Sequence, residues 1–114
     1  MSKTKNIAYI IGNVAKTPEL NETPSGNKVC SFQVITNTTY KKGDESLEES
    51  KAHTCVAWGR LAEICSELLQ TGTLVHVEGR LSDHDFTDKD GVQRTITEII
   101  CNEMIVLRQP ERKE

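Results

Sequence analysis

A single helical stripe, set between two groups of strand-like segments, limits the fold of this chain more than any other feature. In "RLAEICSELLQTG", residues 60–72, apolar side chains recur at the spacing of one α-helix face: Leu61, Ile64, Cys65, Leu68 and Leu69. Gly72 is placed to end this helix. The other apolar segments are short and predict strands.

Five segments have the pattern of β-strands, three before the helix and two after it. They are "NIAYIIGNV" with a bend at Gly12, "CSFQVIT", "AHTCVAW" ended by Gly59, "TLVHVEGRL" with a bulge at Gly79, and "TITEIICNEMIVL". The alternation in "CSFQVIT" indicates a half-buried strand. Two polar segments predict a turn-rich connection, "TPELNETPSGNK", and a long exposed loop, "TTYKKGDESLEESK".

This order of elements favours an all-β fold, the OB-fold. It is a five-stranded Greek-key barrel, here with one helix between the third and fourth strands, and its loops and one strand face bind oligomeric ligands. A generic α+β sheet is the alternative. The length of 114 residues is that of one domain, which we expect over residues 1–107, followed by a short polar tail at 108–114.

Composition and charge exclude several classes of protein. The net charge of −3 lacks the positive excess of many nucleic-acid binders. The polar N-terminus does not resemble a signal peptide, and no apolar run is long enough to cross a membrane. We therefore expect a cytoplasmic protein with reduced, buried thiols at its four cysteines, Cys30, Cys55, Cys65 and Cys101.

The stretch "SDHDFTDKDGVQR", residues 82–94, places four aspartates around Phe86. It fails the calcium-loop template, because aligning Gly91 with the glycine of that loop leaves Phe86 at the first ligand position. An Asp-Gly hairpin tip in "KDGV" explains the stretch better, as an arm between two strands. His53 and Cys55 share a strand face, but the chain has no Cys-x-x-Cys pair and no recognisable nucleophile motif. We expect no metal, no cofactor and no catalysis.

Four stretches together resemble the bacterial and mitochondrial single-stranded DNA-binding protein family over about residues 5–107. They are "IGNVAKTPEL", "PSGNKVCSFQVITNTTY", "WGRLAEICSELLQTGTLVHVEGRL" and "FTDKDGVQRTITEIICNEMIVL". The resemblance implies an OB-fold, usually a homotetramer, that wraps single-stranded DNA during replication, recombination and repair. It implies no catalytic activity.

The resemblance also implies which aromatic side chains stack on bases. Three of the family's four stacking positions are aromatic here, at Tyr40, Trp58 and Phe86, whereas Ala52 replaces a frequent tryptophan at the fourth. Aromatic stacking serves sequence-independent binding because every base has a π-face. Tyr9 and Phe32 lie within strands, and we expect them in the core.

Eight cations stand at positions where they could contact phosphates: Lys3, Lys5, Lys41, Lys42, Arg60, Arg80, Lys89 and Arg94. The family arm is often basic before its aromatic residue, where this chain has Ser82, His84 and Asp85. Because phosphate contacts supply much of the affinity, we expect weaker or more salt-sensitive binding than in a typical member.

Two further expectations concern assembly. His53 matches a family histidine at the subunit interface, so the resemblance implies an interface role; a strand histidine with a local hydrogen bond is the alternative. The sequence stops at "RQPERKE", without the linker and acidic tip with which many members recruit replication and repair proteins.

The alternative function is a short protein-interaction module similar to primosomal replication protein N, which is usually dimeric. The mass in solution therefore distinguishes this module from a tetrameric single-stranded DNA-binding protein.

Overall fold

The computed structural model describes residues 3–110 and contains six strands and one helix. The elements, in chain order, are β1 (Ala8–Val14), β2 (Glu19–Glu22), β3 (Lys28–Lys42), β4 (Glu45–Trp58), α1 (Gly59–Leu68), β5 (Leu74–Thr87) and β6 (Gln93–Arg108).

The strands close into a barrel because β1 pairs with strands on both of its sides. The sheet runs β1-β5-β6-β4-β3-β2, and an additional pairing of β1 with β3 closes its first five strands into a barrel. The β4–β6 pairing is parallel and the others are antiparallel. The barrel proper has five strands, so the predicted OB-fold with a helix between its third and fourth strands is confirmed; β2 lies outside β3 as an added edge strand.

The core lies inside the barrel, and α1 packs against it. The predicted alternation is confirmed: Cys30, Phe32 and Val34 are buried, as are Val75 and Val77. All four cysteines are buried and free. Burial raises the pKa of Cys65 to about 12, with smaller contributions from Cys101 and Cys30, so this thiol is not a reactive nucleophile.

Two glycines allow backbones to approach closely where the barrel bends. A Cβ on Gly79 would lie 2.0 Å from the carbonyl oxygen of Ile100, and one on Gly12 would lie 2.3 Å from that of Ile35. The β5–β6 register also shifts between Glu78 and Gly79, which confirms the predicted bulge.

The predicted long loop after "CSFQVIT" is wrong, because this segment is a β-hairpin. The β3–β4 ladder continues without a register shift from Val29 opposite Trp58 to Lys42 opposite Glu45, and Gly43 and Asp44 form its turn. The segment is polar because both faces of the projecting ribbon contact solvent, not because it lacks a strand.

Two boundaries also differ from prediction. The supposed connection "TPELNETPSGNK" contains β2, whose four residues pair with β3. The helix ends at Leu68 and not near Gly72, because the chain turns there to bury Leu69 in the core. The Thr73 hydroxyl then accepts the Gln70 N–H at 3.1 Å.

The expectation for Tyr9 is also wrong, whereas that for Phe32 is right. Phe32 is buried, but Tyr9 is 54% exposed. The Tyr9 ring lies edge-on to the His76 ring, with 4.3 Å between centroids, on the outside of the barrel.

Candidate nucleic-acid interface

One outer face of the barrel collects most of the side chains that the sequence singled out. Because side chains alternate across a strand, the register places Thr54, Val56 and Trp58 of β4 on the side opposite to buried Cys55 and Ala57. β3 contributes Ser31 and Gln33 to this side, and β6 contributes Ile96, Glu98 and Ile100. We call this surface the outer face.

Trp58 lies at the end of β4, where the chain turns into α1. Its backbone is extended, with φ −120° and ψ 153°, and Gly59 follows with a positive φ of 62° that starts the helix. The turn leaves the indole 46% exposed on the outer face, so it is not a core residue. A base can therefore reach it.

Phe86 lies on the same outer face, on the arm formed by the ends of β5 and β6. It pairs with Arg94, and His84 pairs with Ile96 one step closer to the barrel. Phe86 is 40% exposed. The even-numbered positions from Arg80 to Phe86 all face outward, next to Ile100, Glu98, Ile96 and Arg94.

Two acidic residues of the arm, Asp83 and Asp85, face the other way, whereas Glu98 lies on the outer face. Asp83 and Asp85 alternate with the outward residues and accept hydrogen bonds from the hydroxyls of Thr97 (2.9 Å) and Thr95 (2.7 Å). The carboxylates of Asp83 and Asp85 therefore do not project to the side of the arm that carries Phe86.

Asp88 holds the tip of the arm. Its carboxylate accepts the backbone N–H groups of Asp90 at 2.9 Å and Val92 at 3.0 Å, and the Arg94 Nε–H also donates to it. These contacts lower the pKa of the Asp88 carboxyl, and the hydrogen bond from Arg94 makes the largest contribution. The tip thus fixes the strands beside Phe86, and it confirms that "KDGV" is a hairpin turn. Within residues 3–110 no group of three or more His, Cys, Asp or Glu side chains could hold a metal ion.

Tyr40 is not brought together with Trp58. Tyr40 lies an even number of residues from Phe32 and Val34 on β3, so its side chain projects to the same side as theirs. Its partner on β4 is Leu47. It therefore lies on the opposite face of the β3–β4 ribbon, 46% exposed. A strand that contacts both aromatics has to pass around the edge of this ribbon.

The predicted cations are distributed unevenly over the molecule. Arg80, Arg94 and Lys41 share the outer face, whereas Lys42 shares the side of Tyr40. Lys89 lies in the turn of the arm, and Arg60 follows Trp58 in α1. Lys3 and Lys5 precede β1. Two of the eight are engaged with carboxylates: Arg60 with Glu63 at 2.9 Å, and Arg94 with Asp88.

His53 lies half-buried on β4, with Nε2 2.9 Å from the Thr36 hydroxyl oxygen. Burial lowers its pKa, and Lys51 lowers it further, so the ring is neutral near pH 7. The neighbouring residue, Ala52, is exposed on the outer face at the position of the missing aromatic.

Sequence reasoning missed a cleft of about 390 Å³ on the outer face. Its floor is formed by β3 and β4, one wall by the segment from Lys16 to Asn21, and the other by Ile96 of the arm. The alternation that predicted "CSFQVIT" as a strand already pointed Ser31 and Gln33 outward. The opposite wall could not be predicted, because β2 was not recognised.

Comparisons with known proteins agree on one family. A family model described as "Single-strand binding protein family" matches residues 5–107. Single-stranded DNA-binding protein 1 of Chlorobaculum tepidum is 38% identical over 109 residues, covering 94% of this chain and 67% of that protein. Single-stranded DNA-binding protein of Neisseria meningitidis is 35% identical over 103 residues, covering 90% of this chain and 59% of that protein.

A solved structure supports the same assignment. The structure of Plasmodium falciparum SSB in complex with ssDNA superimposes with a TM-score of 0.85 at 26% identity, covering 95% of this chain and 99% of that chain. This chain spans only part of the length of the two bacterial relatives, at 67% and 59%.

Proposed function

This chain belongs to the single-strand binding protein family, and on that premise we propose that it binds single-stranded DNA without strong sequence preference and protects it during replication, recombination and repair. Bases stack on Trp58 and Phe86, and on Tyr40 where the strand passes around the β3–β4 ribbon. Arg80, Arg94 and Lys41 contact phosphates on the outer face. Lys3, Lys5, Lys42, Arg60 and Lys89 add further charge around it.

The single observation that carries this proposal is that two exposed aromatics share one face. Trp58 and Phe86 come from different hairpins, yet both lie on the outer face, at 46% and 40% exposure. Exposed aromatics beside cations form the stacking platform typical of binding to single strands. Asp83 and Asp85 lie on the opposite side of the arm, away from this path, whereas Glu98 lies beside it.

Competition tests this function. The protein is bound to a fluorescently labelled dT oligomer, and unlabelled single-stranded or duplex DNA of mixed sequence is added while anisotropy is recorded. We expect the single strand to displace the label and the duplex to fail at the same nucleotide concentration, because paired bases do not expose their π-faces. Equal displacement by both would contradict the proposal.

We further propose that the chain assembles into a homotetramer. β1, β5 and β6 carry an apolar surface on the outside of the barrel, around Tyr9, Ile11, His76 and Ile105; Ile11, His76 and Ile105 lie opposite one another in one row. Tyr9, Ile11 and Ile105 are 42–54% exposed, and exposed apolar patches mark interaction sites. The Nε2 atom of His76 is buried without a hydrogen-bond partner among the described residues.

Replacing Tyr9 with arginine tests this assembly. A charge in the middle of the apolar surface should prevent association there. A tetramer with dihedral symmetry has more than one kind of contact, and we propose that His53 belongs to a second one. The variant is therefore expected to have the mass of a dimer by light scattering. An unchanged mass would exclude the apolar surface as a contact, and a monomer would exclude the second contact at His53.

The protein-interaction module considered as an alternative is not favoured. The relatives that match over most of the chain are named single-stranded DNA-binding proteins, and the outer face supports stacking on bases. A wild-type mass of a dimer, together with failure to bind the dT oligomer, would restore that alternative.

No catalytic role is proposed. No helix within residues 3–110 is both long and apolar enough to cross a bilayer.

A further inference from the structure

The cleft on the outer face lies between the two aromatics of the proposed DNA path. Thr54 is on its floor and lies on the same side of β4 as Trp58, while Ile96 on its rim lies on the same side of the arm as Phe86. A strand stacked on both aromatics can pass over the cleft. Its volume of about 390 Å³ is near the lower end of the range for small-ligand sites, about 300–1,000 Å³. This space suits one nucleotide.

Polar side chains that line the cleft are free to bind a ligand. Within the described part of the chain, no protein hydrogen bond engages the side chains of Asn21, Gln33 or Thr54, and Glu19 has no salt-bridge partner. Glu19 pairs with Ser31 across β2 and β3, so both project to the same side. Lys16 lies at the same wall.

The wall that carries Glu19 is held in place from two directions. The Ala15 N–H donates to the Gln33 carbonyl oxygen at 2.9 Å, which fixes the start of the wall to β3. The backbone N–H groups of Thr17 and Thr71 each donate to the other's hydroxyl oxygen at 3.1 Å, which fixes it to the segment after α1. The cleft is thus formed before any ligand enters, and binding requires little rearrangement.

We propose that this cleft holds one base of the bound strand and prefers cytosine over thymine, through an acceptor contact from Glu19 to the exocyclic amino group. The inference rests on the proposed binding of single-stranded DNA and adds a base preference at one position. A carboxylate only accepts hydrogen bonds. Cytosine presents an N4 amino donor at the position where thymine presents the O4 acceptor. Thymine at this position would place its O4 acceptor next to the Glu19 carboxylate, which is also an acceptor, so that no hydrogen bond forms there.

The test compares affinities for dC and dT oligomers of equal length, measured by anisotropy at one salt concentration. The readout is the ratio of the dC to the dT affinity, relative to wild type, so that general differences between the two polymers cancel. Glu19→Leu removes the acceptor. We expect this ratio to fall by about tenfold or more, as for a hydrogen bond to a charged group. Because a negative charge is lost as well, the dT affinity should rise.

Glu22→Leu is the matched control. Glu22 lies on the same short strand, pairs with Lys28 and does not line the cleft. It removes the same charge and should raise both affinities without changing their ratio. A ratio that is unchanged in Glu19→Leu, or equally changed in Glu22→Leu, would overturn the inference.

A change in the DNA gives a second measurement that leaves the protein intact. An oligomer of 2-pyrimidinone deoxynucleosides keeps the size of cytosine but lacks its amino group. The wild-type protein should bind it less tightly than dC, and Glu19→Leu should bind the two alike. Equal wild-type affinities would count against the Glu19 contact. If wild type bound none of the oligomers, the proposed function itself would fail, which is a distinct result.

Discussion

The double substitution Trp58→Ala with Phe86→Ala is expected to weaken binding of a dT oligomer by about 2–6 kcal/mol, since one base stacked on an aromatic contributes about 1–3 kcal/mol. Even the lower figure corresponds to a loss of about thirtyfold in affinity. The two residues lie on different hairpins, so their single effects should add. Anisotropy with a labelled oligomer measures the single and double variants.

Two controls separate stacking from general damage. Val92→Ala removes another exposed apolar side chain of the arm, at 49% exposure, and should bind normally. Phe86→Trp keeps an aromatic ring and should retain or increase affinity. If the double alanine variant bound as tightly as wild type, the outer face would not be the DNA path.

Gly79→Ala should have the largest effect on folding. Its Cβ would lie 2.0 Å from the carbonyl oxygen of Ile100 and 2.8 Å from the carbonyl carbon, both of which belong to the backbone of β6. No side-chain rotation relieves this overlap, so β5 and β6 would have to separate at their bulge. We expect the free energy of unfolding to fall by about 3 kcal/mol in urea denaturation, or the protein to fail to fold.

Gly91→Ala is the comparison variant, because it separates the stability cost of a steric clash from the cost of an unfavourable backbone conformation. Gly91 has a positive φ of 78°, but its Cβ would have no neighbour within 4 Å. The expected loss is only that of placing alanine in a left-handed conformation, about 1–2 kcal/mol. Both variants are measured at one protein concentration, because self-association shifts apparent stability. Similar losses for the two would show that the contact with Ile100 is not what requires glycine at 79.

Periodicity predicted the barrel well where one side of a segment is buried and the other is not. Phe32 and Val77 could be assigned to the core because their strands alternate, and Gly79 could be assigned to a bulge because it interrupts such a strand. The β3–β4 extension and β2 were missed for the reverse reason. Both faces of these segments contact solvent, so no apolar alternation distinguishes them from loops.

The site was only partly predictable for a related reason. The register that separates Asp83 and Asp85 from Phe86 depends on how β5 pairs with β6, and net charge cannot show which side a carboxylate takes. The exposure of Tyr9 was unpredictable within a strand of apolar residues, because a side chain at an apolar outer surface and one in the core have the same hydrophobicity. Strand pairing, and not composition, decides both.

Titration of the fluorescence of Trp58, the only tryptophan, tests the central claim most directly. A dT oligomer and then duplex DNA are added at low and at high salt. Stacking of a base on the indole predicts strong quenching by the single strand alone, with an affinity that falls as salt rises, because phosphates are neutralised by Arg80, Arg94 and the other cations. Absence of quenching while anisotropy still reports binding would show that DNA follows another path. Absence of binding by both methods would contradict the assignment of single-stranded DNA as the ligand.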